Sequence, residues 1–293
     1  MSVLDGLTAA PGGSAVGDVA LLSAAEDRSV RALESGSSVV DSAAFAGVGG
    51  SLADGLSRAV AAYAGRDALV FGDRSVSFGE FGARVWGLAR ELISVGVGPD
   101  VAVGVVIPRS VELLVAVHAV VAAGGQYVPV DPEAPADRVG GYMLATSGAS
   151  VVLVAGGLPV PSAVAQVEGV SVREVDASGS FDAGVGPVSN ADRRAPLGVD
   201  DALYTLFTSG GSTGGRPKGV TVSHRSVVNR LAWMDAWYPV SESDRVLQKT
   251  PVTFDVSVWE LFWPLVSGVP LVIAEPGGRH GDPEYLREVI VDR

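Results

Sequence analysis

Leu203-Tyr-Thr-Leu-Phe-Thr-Ser-Gly-Gly-Ser-Thr-Gly-Gly-Arg-Pro-Lys-Gly-Val-Thr-Val-Ser-His224 reads as two β-prone flanks around a loop of glycines, hydroxyl residues, one arginine and one lysine. The flanks Leu203–Thr208 and Gly219–Val222 predict a strand on each side of the loop. Glycine lets backbone N–H groups converge on an anion with no Cβ in the way. Around Gly210 and Gly214, the side chains of Thr208, Ser209, Ser212 and Thr213 add hydroxyls, and Lys218 adds a compact charge suited to phosphate. The physical reading is a loop that wraps the polyphosphate of a nucleotide. A Walker-type loop would run Gly-Lys-Ser/Thr into a helix, whereas Lys218 follows Pro217 and leads into Gly219 and a β-branched segment. The plainer alternative is a flexible surface hairpin in a chain that holds 38 glycines.

At 293 residues and 47% hydrophobic content, the chain can hold one large domain or two small ones around a sizeable core. A net charge of −12 argues against nucleic acid and against an anionic membrane surface as partners. It leaves a nucleotide open, because a local loop can be positive inside an acidic protein. The absence of cysteine rules out disulfides, thiolate metal sites and a cysteine nucleophile. His118, His224 and His280 show no ligand spacing, so no metal site is expected. No signal peptide is visible, and the apolar run Leu113–Ala123 is too short to span a bilayer. A cytoplasmic protein is expected.

Along the chain, residues 1–43 read as linker, with one short helix possible over Leu21–Leu33. Ser51 with Asp54 predicts a capped helix carrying Leu52, Leu56, Val60 and Tyr63 on one face. Ala68–Phe71 and Ser75–Ser77 predict strands about a Gly72-Asp73 turn, and Ser77 with Glu80 a second capped helix burying Phe81, Val85, Leu88 and Leu92. A β-α-β-α-β series follows. Its parts are strand Val101–Ile107, a helix from Ser110 to Ala123 stopped by Gly124-Gly125, strand Tyr127–Val130, helix Pro135–Ser147 ending at Gly148, and strand Val151–Val154. This alternation predicts an α/β fold with parallel-sheet layers and flanking helices. His118, among alanines and valines, reads as a packed core histidine. Residues 176–200 predict a surface connection. Ser223 then caps a helix carrying Val227, Leu231 and Met234; Val269–Ala274 reads as a strand; and Asp282-Pro283 opens a last helix through Leu286, Val289 and Ile290.

The second chemical constellation is Thr253-Phe-Asp-Val-Ser-Val-Trp-Glu260. Asp255 is a candidate carboxylate for an ammonium group, with Val256 and Trp259 beside it. On the residues alone, Asp255 capping a helix and Trp259 packing with Leu261 and Phe262 is the favoured reading, and only a family resemblance reverses it.

Thr208–Gly219 resembles the signature loop of the adenylate-forming superfamily, and the surroundings resemble adenylation domains of nonribosomal peptide synthetases. Two extra glycines, most simply Gly211 and Gly215, set this loop apart from the family's usual form. Val76–Phe81, Ala122–Pro132 and Phe254–Trp259 resemble other core motifs, and the stretch from Val19 to Asp27 is similar to the connector after a condensation domain. The resemblance implies that residues 44–293 are the N-terminal part of an adenylation domain's large domain, ending before the later motifs and the C-terminal subdomain. It implies ATP and Mg²⁺ in the complete enzyme, with Thr208, Ser209, Gly210, Ser212, Thr213, Gly214 and Lys218 on the phosphates. It implies an amino-acid substrate on Asp255, Val256 and Trp259, whose letters resemble serine-activating domains. The partners implied are a carrier protein bearing phosphopantetheine and a condensation domain, and no residue present is assigned the transition-state catalytic role. Two readings compete. One is a fragment of an amino-acid-activating ligase, inactive alone; the other is a non-catalytic remnant that binds a nucleotide or partner weakly. An acyl-CoA or aryl-acid synthetase is a further alternative, which Asp255 argues against because such substrates carry no α-ammonium.

Overall fold

A computed structural model describes residues 51–134, 140–165, 167–208, 216–277 and 281–292. The readings placed on residues 1–43, on Ser209–Gly215, on His280 and on the start of the Pro135–Ser147 helix lie outside these residues.

Ser51 opens α1 (Leu52–Tyr63), its hydroxyl accepting from the Asp54 N–H. β1 (Asp67–Phe71) and β2 (Arg74–Ser77) form the antiparallel pair expected around Gly72-Asp73. Ser77 caps α2 (Phe78–Ser94) through the Glu80 N–H. Then come β3 (Ala102–Val106), α3 (Val111–Ala123), β4 (Gln126–Pro129), α4 (Gly141–Ser147), β5 (Val151–Ala155), the short α5 (Ser162–Ala165) and β6 (Ser171–Val175). β7 (Ala202–Thr208) and β8 (Lys218–Ser223) form the second antiparallel pair. α6 (His224–Trp237), β9 (Val246–Gln248), α7 (Ser257–Val266), β10 (Leu271–Ile273) and α8 (Pro283–Asp292) complete the order.

These strands make two sheets, ordered β6-β5-β3-β4-β7-β8 and β2-β1-β10-β9. The β5-β3-β4 centre is parallel, as the buried apolar runs require. Its residues alternate between two cores: Val103, Val105 and Leu153 belong to the main one, while Ala102, Val106, Val152 and Val154 pack with Leu144, Ala163 and Val164 on the opposite face. The main core also takes in Leu69 and Leu271 of the second sheet. α3 runs through it, apolar on all sides, and Gly124 closes the helix in the left-handed region at φ 94°.

His118 is a core residue, as expected. Its Nδ1 donates to the Leu114 carbonyl at 2.9 Å, and its ring lies 5.1 Å from Phe81 and 4.9 Å from Phe262. Burial pushes its pKa down to about 4.

One expectation, the Ser223 cap, is corrected, and three features go beyond the sequence reading. β6 is a strand that the sequence pattern does not announce, because its exposed edge position leaves Ser-Val-Arg-Glu-Val without an apolar face. β9 is three residues long and paired on one side with β10. Ser223 stands at the start of α6, but its hydroxyl meets Ser226 Oγ at 3.3 Å and caps no backbone N–H. Ile290 is 70% exposed, since α8 docks through Tyr285 in its first turn.

Residues 176–200 carry no regular element, as expected, yet they are fastened down. Arg74 donates to the Ala177 carbonyl, Arg84 to Gly179 at 2.9 Å, and Arg90 to Gly186 at 2.8 Å and Pro187 at 3.3 Å. From within the connection Arg193 reaches the Ala122 carbonyl at the end of α3, at 2.9 Å.

Candidate functional site

The antiparallel β7–β8 ladder runs from Ala202 opposite Ser223 to Thr208 opposite Lys218, the residues that flank the glycine-rich stretch. Thr208 and Lys218 are exposed at its mouth, with Thr208 Oγ1 donating to the Lys218 carbonyl at 3.5 Å. Among the described residues, no carboxylate pairs with Lys218. Arg216 lies over the Tyr142 ring of α4 at 5.5 Å. Ser209, Gly210, Ser212, Thr213 and Gly214 fall outside the described residues, as do Gly211 and Gly215. The free ammonium and the hydroxyl at the mouth are a donor set that fits a polyphosphate. Among the described residues, no group of three or more His, Cys, Asp or Glu could hold a metal ion. A divalent cation that binds phosphate oxygens and keeps its waters needs no such cage.

Asp255, Val256 and Trp259 come together on the wall of one cavity of about 330 Å³. Tyr204 of β7, Arg230 of α6 and Val258 complete the part of the wall that bears on the chemistry. The turn that presents Asp255 is built from backbone bonds: Phe254 N–H to Pro251 at 3.0 Å, Ser257 N–H to Phe254 at 3.0 Å, and Val258 N–H to the Asp255 carbonyl at 3.1 Å. α7 begins without a side-chain cap, so the Asp255 carboxylate is not spent on its helix. Among the described residues, none donates a hydrogen bond to that carboxylate. Its charge is felt by Tyr204, whose phenol is pushed up, first by burial and then by Asp255. Trp259 is half-buried, packing on the core with its ring 6.1 Å from Trp263. The packing reading and the cavity reading therefore both describe it. Arg230 stacks over Trp233 at 4.5 Å and brings a positive charge to the wall that carries Asp255.

A second cavity, of about 510 Å³, opens where β3, β4, β9 and β10 end. Arg109, Asp131, Glu133 and Gln248 line it together with Pro251–Thr253. Burial lowers the pKa of Arg109, against the opposing pull of Glu260 and Tyr285.

Sequence reasoning missed Glu260 and His224. Glu260 is 2% exposed and accepts from Lys249 N–H at 3.1 Å, Thr250 N–H at 3.0 Å and Thr250 Oγ1 at 2.6 Å. The available signal was a single charge in the otherwise uncharged run Ser257–Val266. His224 is fully buried, with Nδ1 accepting from the Leu52 N–H at 3.4 Å, and burial pushes its pKa down to about 4. Tyr204 and Arg230 reach the cavity from elements distant in sequence.

The model of the AMP-binding enzyme family matches residues 56–292. The chain is 39% identical over 225 residues to tyrocidine synthase 3 of Brevibacillus parabrevis, covering 77% of this chain and 3% of that protein. It is 38% identical over 220 residues to enterobactin synthase component F of Escherichia coli, covering 74% and 16%. Among solved structures, the nonribosomal peptide synthetase FmoA3 (S1046A) in its AMPPNP-bound form superposes with a TM-score of 0.74 at 26% identity, over 99% of this chain and 29% of that one. Its alpha-methyl-L-serine-AMP bound form gives 0.71 at 27% identity, over 82% and 25%. The chain thus spans a small part of each protein it matches.

Proposed function

The chain belongs to the AMP-binding enzyme family, and from that premise we propose that it contributes the phosphate-binding hairpin and the amino-acid cavity of an adenylation domain in a nonribosomal peptide synthetase. Residues 44–293 are then the N-terminal part of that domain, and residues 1–43 a linker. The hairpin tip, from Thr208 through Ser209, Gly210, Ser212, Thr213 and Gly214 to Lys218, takes the phosphates of ATP, with Mg²⁺ arriving on the nucleotide. An α-amino acid enters the 330 Å³ cavity with its ammonium on Asp255 and its side chain against Val256 and Trp259. A carboxylate oxygen of the amino acid forms a bond to the α-phosphorus, the bond from that phosphorus to the bridging oxygen breaks, and pyrophosphate leaves. What this chain supplies is positioning and charge. The thiol of phosphopantetheine on a carrier protein, beside a condensation domain, next bonds to the aminoacyl carbonyl carbon, and AMP leaves as the bond from that carbon to the phosphate oxygen breaks.

One observation carries this reading: among the described residues nothing hydrogen-bonds the exposed Asp255 carboxylate, which lines the cavity beside Val256 and Trp259 and is open to an entering ammonium. Serine is the proposed substrate class. The letters Asp255, Val256 and Trp259 support it, as does the superposition on a synthetase that binds alpha-methyl-L-serine-AMP.

A semi-solvated ion pair at 4 Å is worth about 4 kcal/mol before desolvation, so Asp255→Ala is expected to weaken serine binding roughly 10- to 100-fold. Calorimetry with serine and with ATP, alongside serine-dependent ATP–pyrophosphate exchange, tests the reading. Unchanged serine affinity in folded Asp255→Ala protein would refute the amino-acid cavity. The two extra glycines favour a second reading, a non-catalytic nucleotide-binding module, because a longer loop has more conformations to freeze. ATP affinity with no exchange, even when the remaining segments of a related adenylation domain are supplied, would decide for it.

A further inference from the structure

A carboxylate buried to the degree of Glu260 persists only where hydrogen bonds replace its water. Oε2 accepts from the backbone N–H groups of Lys249 and Thr250 at 3.1 and 3.0 Å and from Gln248 Nε2 at 3.4 Å, and Oε1 accepts from the Thr250 hydroxyl at 2.6 Å. Each of these donors belongs to residues leaving β9, while Glu260 sits in the first turn of α7, the element the chain enters next. Arg109 reinforces the same place by donating to the Lys249 and Glu275 carbonyls. The carboxylate therefore closes a ring of chain from Lys249 to Glu260. Pro251, Val252 and Thr253 of that ring line the 510 Å³ cavity, and Asp255, Val256 and Trp259 line the 330 Å³ cavity. Where the ring lies decides the shape of both.

We propose that Glu260 is a positioning residue for the amino-acid site, its carboxylate holding the turn that presents Asp255 to the cavity. This rests on the reading of that cavity given above. Glu260 itself touches no substrate; it acts through the backbone of Lys249 and Thr250. Glu260→Gln keeps the side-chain volume but removes the charge: its one carbonyl oxygen is left to accept, more weakly, from the Lys249 and Thr250 N–H groups, while its NH₂ falls opposite the Thr250 hydroxyl. The turn then loosens, while the apolar face of α7 still packs.

Amide hydrogen exchange on the ligand-free chain reads the turn directly. In Glu260→Gln the amides of Lys249, Thr250, Phe254, Ser257 and Val258 are expected to exchange at least tenfold faster, with those of α3 and β3 within twofold of wild type. Serine affinity by calorimetry is expected to fall at least tenfold, with ATP affinity unchanged. Unchanged exchange at Phe254–Val258, or an equal acceleration across the whole chain, would overturn the proposal. If Glu260→Gln does not fold, Thr250→Val removes only the hydroxyl donor, and the same local pattern is expected at about threefold; its absence overturns the proposal equally. A wild-type chain that binds no serine refutes the amino-acid reading instead, and the exchange pattern still decides whether Glu260 holds the turn.

Discussion

Lowering the pH from 7 to 5 should cost this fold about 4 kcal/mol through the titration of two histidines. His118 and His224 each fall from an ordinary pKa of 6.5 to about 4, with burial the largest cause for both. The native state thus holds them neutral, while the unfolded chain takes up their protons below pH 6.5. Stability is therefore constant above that pH, falls as pH drops through the interval down to 4, and levels off below. At pH 5 each histidine accounts for roughly 2 kcal/mol, a large share of the 5–15 kcal/mol that separates a typical domain from its unfolded state. The geometry explains the penalty. His118 uses its Nδ1 proton on Leu114, so protonation adds an N–H at Nε2, which is buried without a partner. His224 is the opposite tautomer, since its Nδ1 accepts from Leu52; protonation there sets N–H against N–H, with Asp201 and Asp54 pulling the pKa up and Arg193 pushing it down. Carboxylates held low by hydrogen bonds, such as Asp200 from Arg225 and Asp244 from Ser241, titrate below this interval. Urea denaturation at pH 7, 6, 5 and 4.5 supplies the measurement, with His118→Leu as control. The variant should lose about 2 rather than 4 kcal/mol between pH 7 and 5. A flat profile, or an unaltered slope in His118→Leu, would refute the assignment.

Two further perturbations test the scaffold. Ser110→Ala removes the hydroxyl that accepts from the Leu113 N–H at the start of α3, and should lower stability by about 1 kcal/mol in urea denaturation with no change in the slope m. Gly268→Ala places a Cβ 2.1 Å from the Tyr63 ring at a residue with φ 76°, and should cost roughly 2–4 kcal/mol. A Tyr63→Ala background should relieve the clash but not the backbone strain, so the loss in the double variant is expected to be smaller than the sum of the two single losses.

What the sequence made legible follows how locally each feature is encoded. β3, α3 and β4 are continuous apolar runs between stop signals, because both faces of that part of the sheet are covered. β6 is just as regular, but an edge strand exposed to water writes no apolar alternation. Asp255, Val256 and Trp259 could be read together because one turn and the first turn of a helix bring four positions, Val258 included, to one wall. Tyr204 and Arg230 reach that wall only after β7 and α6 have packed. Glu260 was invisible as a functional residue for a different reason: half of its donors are backbone N–H groups, which every residue but proline possesses and no letter announces.

The connection between β6 and β7 is gripped chiefly by its peptide oxygens. Arg74, Arg84 and Arg90 reach up from the layer beneath and take hold of Ala177, Gly179, Gly186 and Pro187 by their carbonyls. A carbonyl is common to all twenty amino acids, so this grip checks the path and spacing of the rope and ignores the dye in its fibres. Drift should therefore run freely at the anchored positions Gly179, Gly186 and Pro187, while Phe181 under the Arg84 guanidinium, Arg193 on the Ala122 carbonyl and the buried Ala177 and Val188 are held by their side chains. A lost arginine, or a residue inserted between two anchor points, would unmoor it.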